Sequence, residues 1–189
     1  MERSWLENTK CEFYKPTPQQ AKRHSLFSLS SVRGTGDKTI LEGRSMLQGY
    51  LRADGRKGIR NILAVAYLVE CAHHVAREIA LGFRGEPVHL IGFPGCYPSE
   101  YGQRMMKQIC THPNVGAVLL VSLGCESFPR EKLAETIRIS GRPVHTLVIQ
   151  HSGGTTRSIQ EGQNWIRKTL EQLRTAQRTP MEVHELVVG

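Results

Sequence analysis

The hydrophobic positions of the chain fall into four short apolar runs, and a segment with helical periodicity follows each run. Apolar runs of four to eight residues bounded by turn residues are typical of buried strands, whereas apolar residues at three-to-four spacing predict helices. The predicted strands cover 62–69, 88–93, 117–123 and 144–149, and the predicted helices cover about 72–82, 99–110, 129–140 and 156–177. Strand and helix therefore alternate along most of the chain.

This alternation predicts an α/β domain over residues 47–189, with a Rossmann-like parallel sheet of four or five strands. Strands joined through helices by right-handed crossovers run parallel, and the helices then cover both faces of the sheet. The helix ends agree with this prediction. Ser99 is a suitable amino-terminal cap, Pro129 lies near the start of the third helix, and Gly141 follows its end.

Residues 1–46 lack any sustained period and are expected to form an irregular or flexible amino-terminal arm. They include two prolines, a serine-rich run at 25–31 and the glycines at 34 and 36. At the other end, an apolar run at 186–188 stops at Gly189. We expect a further domain to follow there, and its absence would leave the carboxyl edge of the sheet open.

The charge of the protein is unevenly distributed. The net charge is +8, and residues 1–60 hold twelve Lys and Arg against six Asp and Glu. The basic residues are scattered and lack a recognised nucleic-acid-binding module, so we expect no nucleic-acid partner. No apolar run approaches the roughly 18 residues of a membrane span, and the amino terminus does not resemble a secretion signal. We expect a soluble, cytoplasmic protein without a membrane partner.

Three of the five cysteines occupy equivalent positions, each just after a predicted strand. Cys71, Cys96 and Cys125 are 25 and 29 residues apart, about one βα unit each. Because the carboxyl ends of parallel strands meet at one edge, we expect the three sulfurs to lie there within roughly 10 Å of one another. Thiolates favour zinc, iron or iron–sulfur clusters, and three of them leave an open position for substrate. The alternative is that each is a small buried hydrophobic residue.

Several other polar residues are predicted to share this edge. His73 and His74 follow Cys71, and His151 follows the fourth strand; each is a candidate base or a structural histidine. Glu126 is a candidate base or a helix cap. The turn formed by Gly153, Gly154 and Thr155 precedes a helix and is a weak candidate for binding a carboxylate or phosphate.

The glycine-rich segment 49–61 carries a second group of candidates. Arg52, Arg56 and Arg60, with Asn61 beside them, are candidates for binding a substrate carboxylate, since arginine recognises carboxylates through two parallel hydrogen bonds. The alternative is an ordinary solvated loop. Asp54 and Gly55 make the segment rich in turns, so we predict a loop there.

An ordered set of short motifs resembles the central domain of the altronate and galactarate dehydratase family, which sulfolactate sulfo-lyase large subunits share. The resemblance covers about residues 47–189. The motifs are GYLRADG at 49–55, GIRN at 58–61, VECAHHVA at 69–76, FPGC at 93–96, THPNVG at 111–116, LGCE at 123–126 and SGRP at 140–143.

The resemblance implies a hydro-lyase that acts on sugar acids such as altronate or galactarate and gives 2-keto-3-deoxy acids. It implies a dependence on ferrous iron, and the three cysteines stand where the motifs of the family have theirs. We therefore expect Cys71, Cys96 and Cys125 to hold iron, alone or in a cluster, with His73, His74 or His151 as the candidate base. The resemblance also implies a complementary carboxyl-terminal domain or subunit as partner. Self-association into a homo-oligomer is left open.

Two other functions remain open at this point. The chain is alternatively a non-catalytic subunit of a split enzyme that binds an acidic ligand or a partner. A nucleotide-binding Rossmann module is weaker, because no Gly-x-Gly-x-x-Gly pattern follows the first strand.

Overall fold

The computed structural model describes residues 47–186, so the predicted arm over 1–46 and most of the apolar run at 186–188 lie outside the described residues. Within 47–186 no helix is long and apolar enough to cross a membrane. The described part contains a four-stranded parallel sheet, a small three-stranded antiparallel sheet and four α-helices.

The parallel sheet and its helices alternate along the chain as predicted. Numbered in chain order, the strands of the small sheet are β1 (Leu47–Leu51), β2 (Lys57–Gly58) and β7 (Thr179–Met181). The elements of the larger layer are β3 (Ile62–Tyr67), α1 (His73–Leu81), β4 (Val88–Gly92), α2 (Glu100–Cys110), β5 (Val115–Ser122), α3 (Arg130–Ile139), β6 (Val144–Val148) and α4 (Thr155–Arg174).

The strand order of the parallel sheet is β4-β3-β5-β6, with all three pairings parallel. The connection from β3 to β4 leads to one side, and the chain then crosses back over β3 to reach β5. The switch point between β3 and β5 is where open α/β sheets bind ligands, at the carboxyl ends of the strands. The predicted Rossmann-like fold with a four-stranded parallel sheet is therefore confirmed.

Two apolar clusters bury the two faces of the sheet. Alternate residues of β3 and β5, such as Leu63 and Leu119, face α1 and α4, whereas Ala64 and Leu120 face α2 and α3. All eight residues of β5 are buried, as expected for a central strand with helices on both sides. A Cβ atom on Gly162 of α4 would lie 2.5 Å from Ile79 of α1, so glycine permits this close helix packing.

The small antiparallel sheet was not predicted. It consists of β1 (Leu47–Leu51), β2 (Lys57–Gly58) and β7 (Thr179–Met181), in the order β2-β1-β7. The prediction of a loop over 49–61 was therefore wrong in part, because β1 and β2 form a hairpin around the turn at Gly55, whose φ is +83°. The strands are too short to show a period of two in the sequence.

Candidate active site

The carboxyl edge of the parallel sheet collects the loops that carry most of the predicted site residues. The loops begin after Tyr67, Gly92, Ser122 and Val148, which end neighbouring strands of one sheet. The loops carry the three cysteines Cys71, Cys96 and Cys125, named the edge cysteines below, together with Glu126, His151, Gly153 and Gly154. The first turns of the helices that follow carry His73 and His74 on α1 and Thr155 on α4. The sequence therefore predicted correctly which residues follow these strands at a common edge.

Backbone hydrogen bonds join the three cysteine-bearing loops. The amide of Glu70 donates to the carbonyl of Pro94 at 3.3 Å, which connects the first loop to the second. The amide of Ser127 donates to the carbonyl of Cys96 at 3.0 Å, which connects the third loop to the second. All three edge cysteines are exposed, so their thiols face solvent rather than the apolar core.

The described residues do not assemble a metal site at this edge. Across residues 47–186, no group of three or more His, Cys, Asp or Glu side chains is placed to hold a metal ion. The thiol chemistry of the edge cysteines suits iron, but their arrangement does not fit a bound metal in this chain alone. A shared metal centre, with sulfurs within roughly 10 Å, stays a prediction.

His73 is a candidate base whose ring is held by two neighbouring side chains. Its Nδ1 lies 3.1 Å from Oε1 of Glu70, and its ring packs against Tyr67 with 4.9 Å between ring centroids. A carboxylate that accepts the Nδ1 proton leaves Nε2 as the basic nitrogen, which is the usual way of fixing a catalytic tautomer. Burial raises the pKa of Tyr67, and the charge of Glu70 adds to the increase.

The contacts of His73 with Glu70 and Tyr67 were not predicted from the sequence. The signal available in the sequence was the spacing of three residues between Glu70 and His73, which brings side chains together across one helical turn. His74 and His151 lie at the same edge and are exposed. Their roles as bases stay predictions.

Glu126 is a buried carboxylate with several hydrogen-bond donors. Its side chain is 0% exposed, and it accepts hydrogen bonds from the hydroxyl of Ser122 and from the amide of Gly124 at 2.8 Å. Arg130 Nη1 lies 3.9 Å from Oε1. Burial raises the pKa of Glu126, but these donors outweigh burial and lower the pKa below its ordinary value. These contacts favour a structural role, which holds the turn before Cys125.

The turn before α4 has the geometry that the sequence suggested. Gly153 and Gly154 have φ angles of +79° and +94°, a region that favours glycine, and α4 begins at Thr155. Among the described residues, the helix cap at Gly154 has no side-chain hydrogen bond. The exposed first turn of α4 is therefore available to an anion.

The predicted arginine group lies at the opposite, amino edge of the sheet. Arg52 Nε donates to the carbonyl of Pro113 at 2.7 Å, just before β5 begins, and Asn61 immediately precedes β3. The eight residues of β5 separate the two edges by roughly 23 Å, since seven steps of about 3.3 Å lie between its first and last residues. The structure thus does not bring these residues together with the edge cysteines within one chain.

The contacts of Arg52 and Asn61 are those of structural residues. Arg52 Nη1 donates to Asn61 Oδ1 at 2.9 Å and Nη2 to the carbonyl of Arg60 at 3.1 Å. Asn61 Nδ2 donates to the carbonyl of Leu173 at 2.9 Å, at the end of α4. Burial lowers the pKa of Arg52 to about 10, and the nearby charge of Arg142 adds to the decrease.

The remaining arginines of this edge also bind the chain itself. Arg56 Nη2 lies 2.6 Å from Asp54 and donates to the carbonyl of Thr111 at 2.6 Å. The buried Arg142 donates through Nε to the carbonyl of Val115 at 2.9 Å. The Arg60 side chain is exposed. These contacts favour the alternative of a structural loop, and a substrate-binding role for the group stays a prediction.

Comparison with known proteins identifies the family. Residues 49–174 match the model of the second domain of D-galactarate dehydratase/altronate hydrolase. The chain is 29% identical over 157 residues to altronate dehydratase of Escherichia coli, covering 76% of this chain and 31% of that protein. It is 29% identical over 156 residues to the (2R)-sulfolactate sulfo-lyase subunit beta of Chromohalobacter salexigens, covering 79% of this chain and 38% of that subunit.

The third curated relative is altronate dehydratase of Bacillus subtilis, which is 25% identical over 156 residues and matches over 31% of its length. The chain thus spans about a third of the length of the curated relatives that it matches. No solved structure matches the chain at a significant level. Since the family model covers most of the described fold, the chain belongs to the D-galactarate dehydratase/altronate hydrolase family, of which it contains the second domain.

Proposed function

We propose that this chain is a domain or subunit of a hydro-lyase that dehydrates sugar acids such as altronate or galactarate to 2-keto-3-deoxy acids. The match of residues 49–174 to the second domain of this family carries the proposal. The grouping of polar side chains at the carboxyl edge, next to the switch point between β3 and β5, supports it.

The proposed reaction is an elimination of water from two neighbouring carbons. A base removes the proton from the carbon next to the substrate carboxylate, hydroxide leaves the following carbon, and the resulting enol tautomerises to the keto acid. His73 is the proposed base, because its contact with Glu70 at 3.1 Å directs Nε2 away from the carboxylate partner. The positive-φ turn at Gly153 and Gly154 and the first turn of α4 are proposed to bind the substrate carboxylate.

Iron is proposed as a cofactor of the complete enzyme, with the edge cysteines as ligands, because thiolates suit ferrous iron and iron–sulfur clusters. The described residues do not form such a site by themselves. We therefore propose that a complementary domain or subunit supplies what is missing, in agreement with the partial coverage of the longer relatives.

One alternative function keeps the same family but removes the chemistry from this chain. The donors within 47–186 form no metal group, which agrees with a non-catalytic subunit that binds the acid or its partner while the chemistry takes place on another domain. In that case substrate binds this chain, but substitutions at His73 leave turnover unchanged.

The test of the proposal is the formation of keto acid. The full chain is incubated under reducing conditions with ferrous iron and with altronate or galactarate, alone and together with the region of altronate dehydratase outside the match. We expect 2-keto-3-deoxy acid only from the mixture. Full activity of the chain alone would contradict the need for a partner. No keto acid from either sample would contradict the hydro-lyase function.

A further inference from the structure

A groove between α2 and α3, on the sheet face opposite α1 and α4, has the composition of a binding site for an organic anion. Its volume is about 370 Å³, which lies in the range of small-molecule sites. Its lining includes the buried apolar side chains of Phe128 and Leu133 and the three cationic residues Arg104, Lys107 and Lys132. Apolar and cationic surface therefore meet in one cavity.

The three cations of this groove have no carboxylate partner within residues 47–186. None of them forms an ion pair there, whereas two acids of α3 form ion pairs with other arginines. Glu131 lies 2.8 Å from Arg130, and Glu135 pairs with Arg138. In the described part of the chain, Glu100 is the one carboxylate in the lining and forms no ion pair with the three cations, so the groove keeps a net positive charge.

The positions of these cations suit a compact ligand. Arg104 and Lys107 are three residues apart on α2, which brings their Cβ atoms to about 5–6 Å, and Lys132 projects from α3. Glu100 lines the same groove, so its carboxylate would repel an acidic polypeptide that extended along α2. A small molecule with two closely spaced negative charges avoids this repulsion.

We propose that this groove binds a small organic dianion, with carboxylate or phosphate charges against the three cations and an apolar body against Phe128 and Leu133. The site is distinct from the carboxyl-edge residues of the proposed reaction. It is nevertheless connected to them, because Phe128 belongs to the loop that carries Cys125 and packs edge-on against Phe93, with 5.7 Å between ring centroids. Phe93 lies three residues before Cys96.

The experiment uses phthalate, which has two carboxylates on an apolar ring, as the probe. Phthalate is titrated into the full chain at fixed ionic strength, and amide chemical shifts are followed by NMR. We expect shift changes concentrated on α2, α3 and Phe128. The variants Lys107→Gln and Lys132→Gln should each weaken binding by about tenfold, as loss of one charge-assisted contact does. Glu100→Gln should strengthen it by removing a like charge.

Lys168→Gln is the matched control, since this exposed lysine lies on α4 and its substitution changes the net charge equally. Equal weakening by Lys168→Gln, or shift changes spread over the whole surface, would show non-specific attraction and overturn the proposal.

An oligoglutamate peptide serves as the second probe. Tighter binding of this peptide than of phthalate in the same groove would overturn the small-molecule assignment in favour of an acidic polypeptide. Inorganic phosphate should bind more weakly than phthalate, because it has no apolar body to contact Phe128 and Leu133. The reverse order would refute the contribution of these two side chains.

Discussion

Replacing Glu126 with glutamine should destabilise the domain far more than replacing the neighbouring Glu131. Both carboxylates contact Arg130, but the Glu126 side chain is 0% exposed and the Glu131 side chain is 77% exposed. The amide of glutamine cannot accept hydrogen bonds at both positions where Ser122 and Gly124 donate. Losing one hydrogen bond to a buried charge costs about 2 kcal/mol, whereas an exposed ion pair contributes less than about 0.5 kcal/mol.

The assay is urea unfolding of the full chain followed by circular dichroism at neutral pH. With a slope of about 2 kcal/mol per molar urea, Glu126→Gln should lower the midpoint by about 1 M, and Glu131→Gln should leave it almost unchanged. The two variants remove the same charge, so their difference isolates the effect of burial and hydrogen bonding. Equal midpoints for the two variants would refute the assignment of Glu126 as the structural anchor of the turn before Cys125.

The pH dependence of this difference follows from the lowered pKa of Glu126. A carboxylate whose pKa is lower in the folded state stabilises the fold above its unfolded pKa and loses that contribution as the pH falls through the folded value. The destabilisation by Glu126→Gln should therefore be constant near neutral pH and decrease below about pH 4.5, the ordinary value. An increase of the difference at acidic pH would contradict the contacts described for this carboxylate.

Three further predictions concern the other parts of the domain. The Cys110 thiol is buried, and burial raises its pKa to about 12. Iodoacetamide should therefore modify the edge cysteines in the native protein and leave Cys110 unmodified, as measured by peptide mass spectrometry. Labelling of Cys110 at the same rate as the edge cysteines would contradict its burial. Burial lowers the pKa of His112, and the positive charges of Arg56 and Arg142 lower it further. Arg56→Gln should therefore raise the pKa of His112 measured by NMR, and an unchanged pKa would refute the contribution of Arg56. A Cβ atom on Gly58 would overlap the backbone of Pro113. Gly58→Ala should therefore lower the free energy of unfolding by about 1–3 kcal/mol in urea titrations. An unaltered midpoint would show that Gly58 and Pro113 are not in tight contact.

The features of the fold that were predicted from the sequence are those with a short continuous apolar run or a strong helical period. The eight buried residues of β5 and the repeated three-to-four spacing in α4 leave few alternatives to a strand and a helix. Helix ends were less accurate, since α4 ends at Arg174 rather than near 177. The short strands β2 and β7 depend on pairing with β1, and a strand of two or three residues has no pattern of its own.

In the candidate site, only the residues that directly follow the ends of the parallel strands could be predicted from the sequence. The positions of the edge cysteines followed from their equivalent places after parallel strands. The contact of Glu70 with His73 depends on a short 3₁₀ turn over Glu70–Ala72, which the sequence did not reveal. The placement of Arg52 at the amino edge depends on its tertiary contact with Pro113, 61 residues away. Local patterns do not report such contacts.

The most direct test of the central claim compares two histidines that each pair with a glutamate. His73 lies 3.1 Å from Glu70 at the carboxyl edge. His184 belongs to a 3₁₀ turn over Val183–Glu185, after the small sheet, and lies 3.3 Å from Glu182, the residue before that turn. Both are changed to glutamine, and kcat for keto acid formation is measured in the chain combined with its complementary region.

If the carboxyl edge holds the reaction, His73→Gln should reduce kcat by about a hundredfold or more, as the loss of a general base does, while His184→Gln retains the activity of the unmodified chain. Circular dichroism and urea midpoints establish that both variants are folded. Unchanged turnover by the folded His73→Gln variant, or an equal loss in both variants, would contradict the assignment of His73 as the catalytic base.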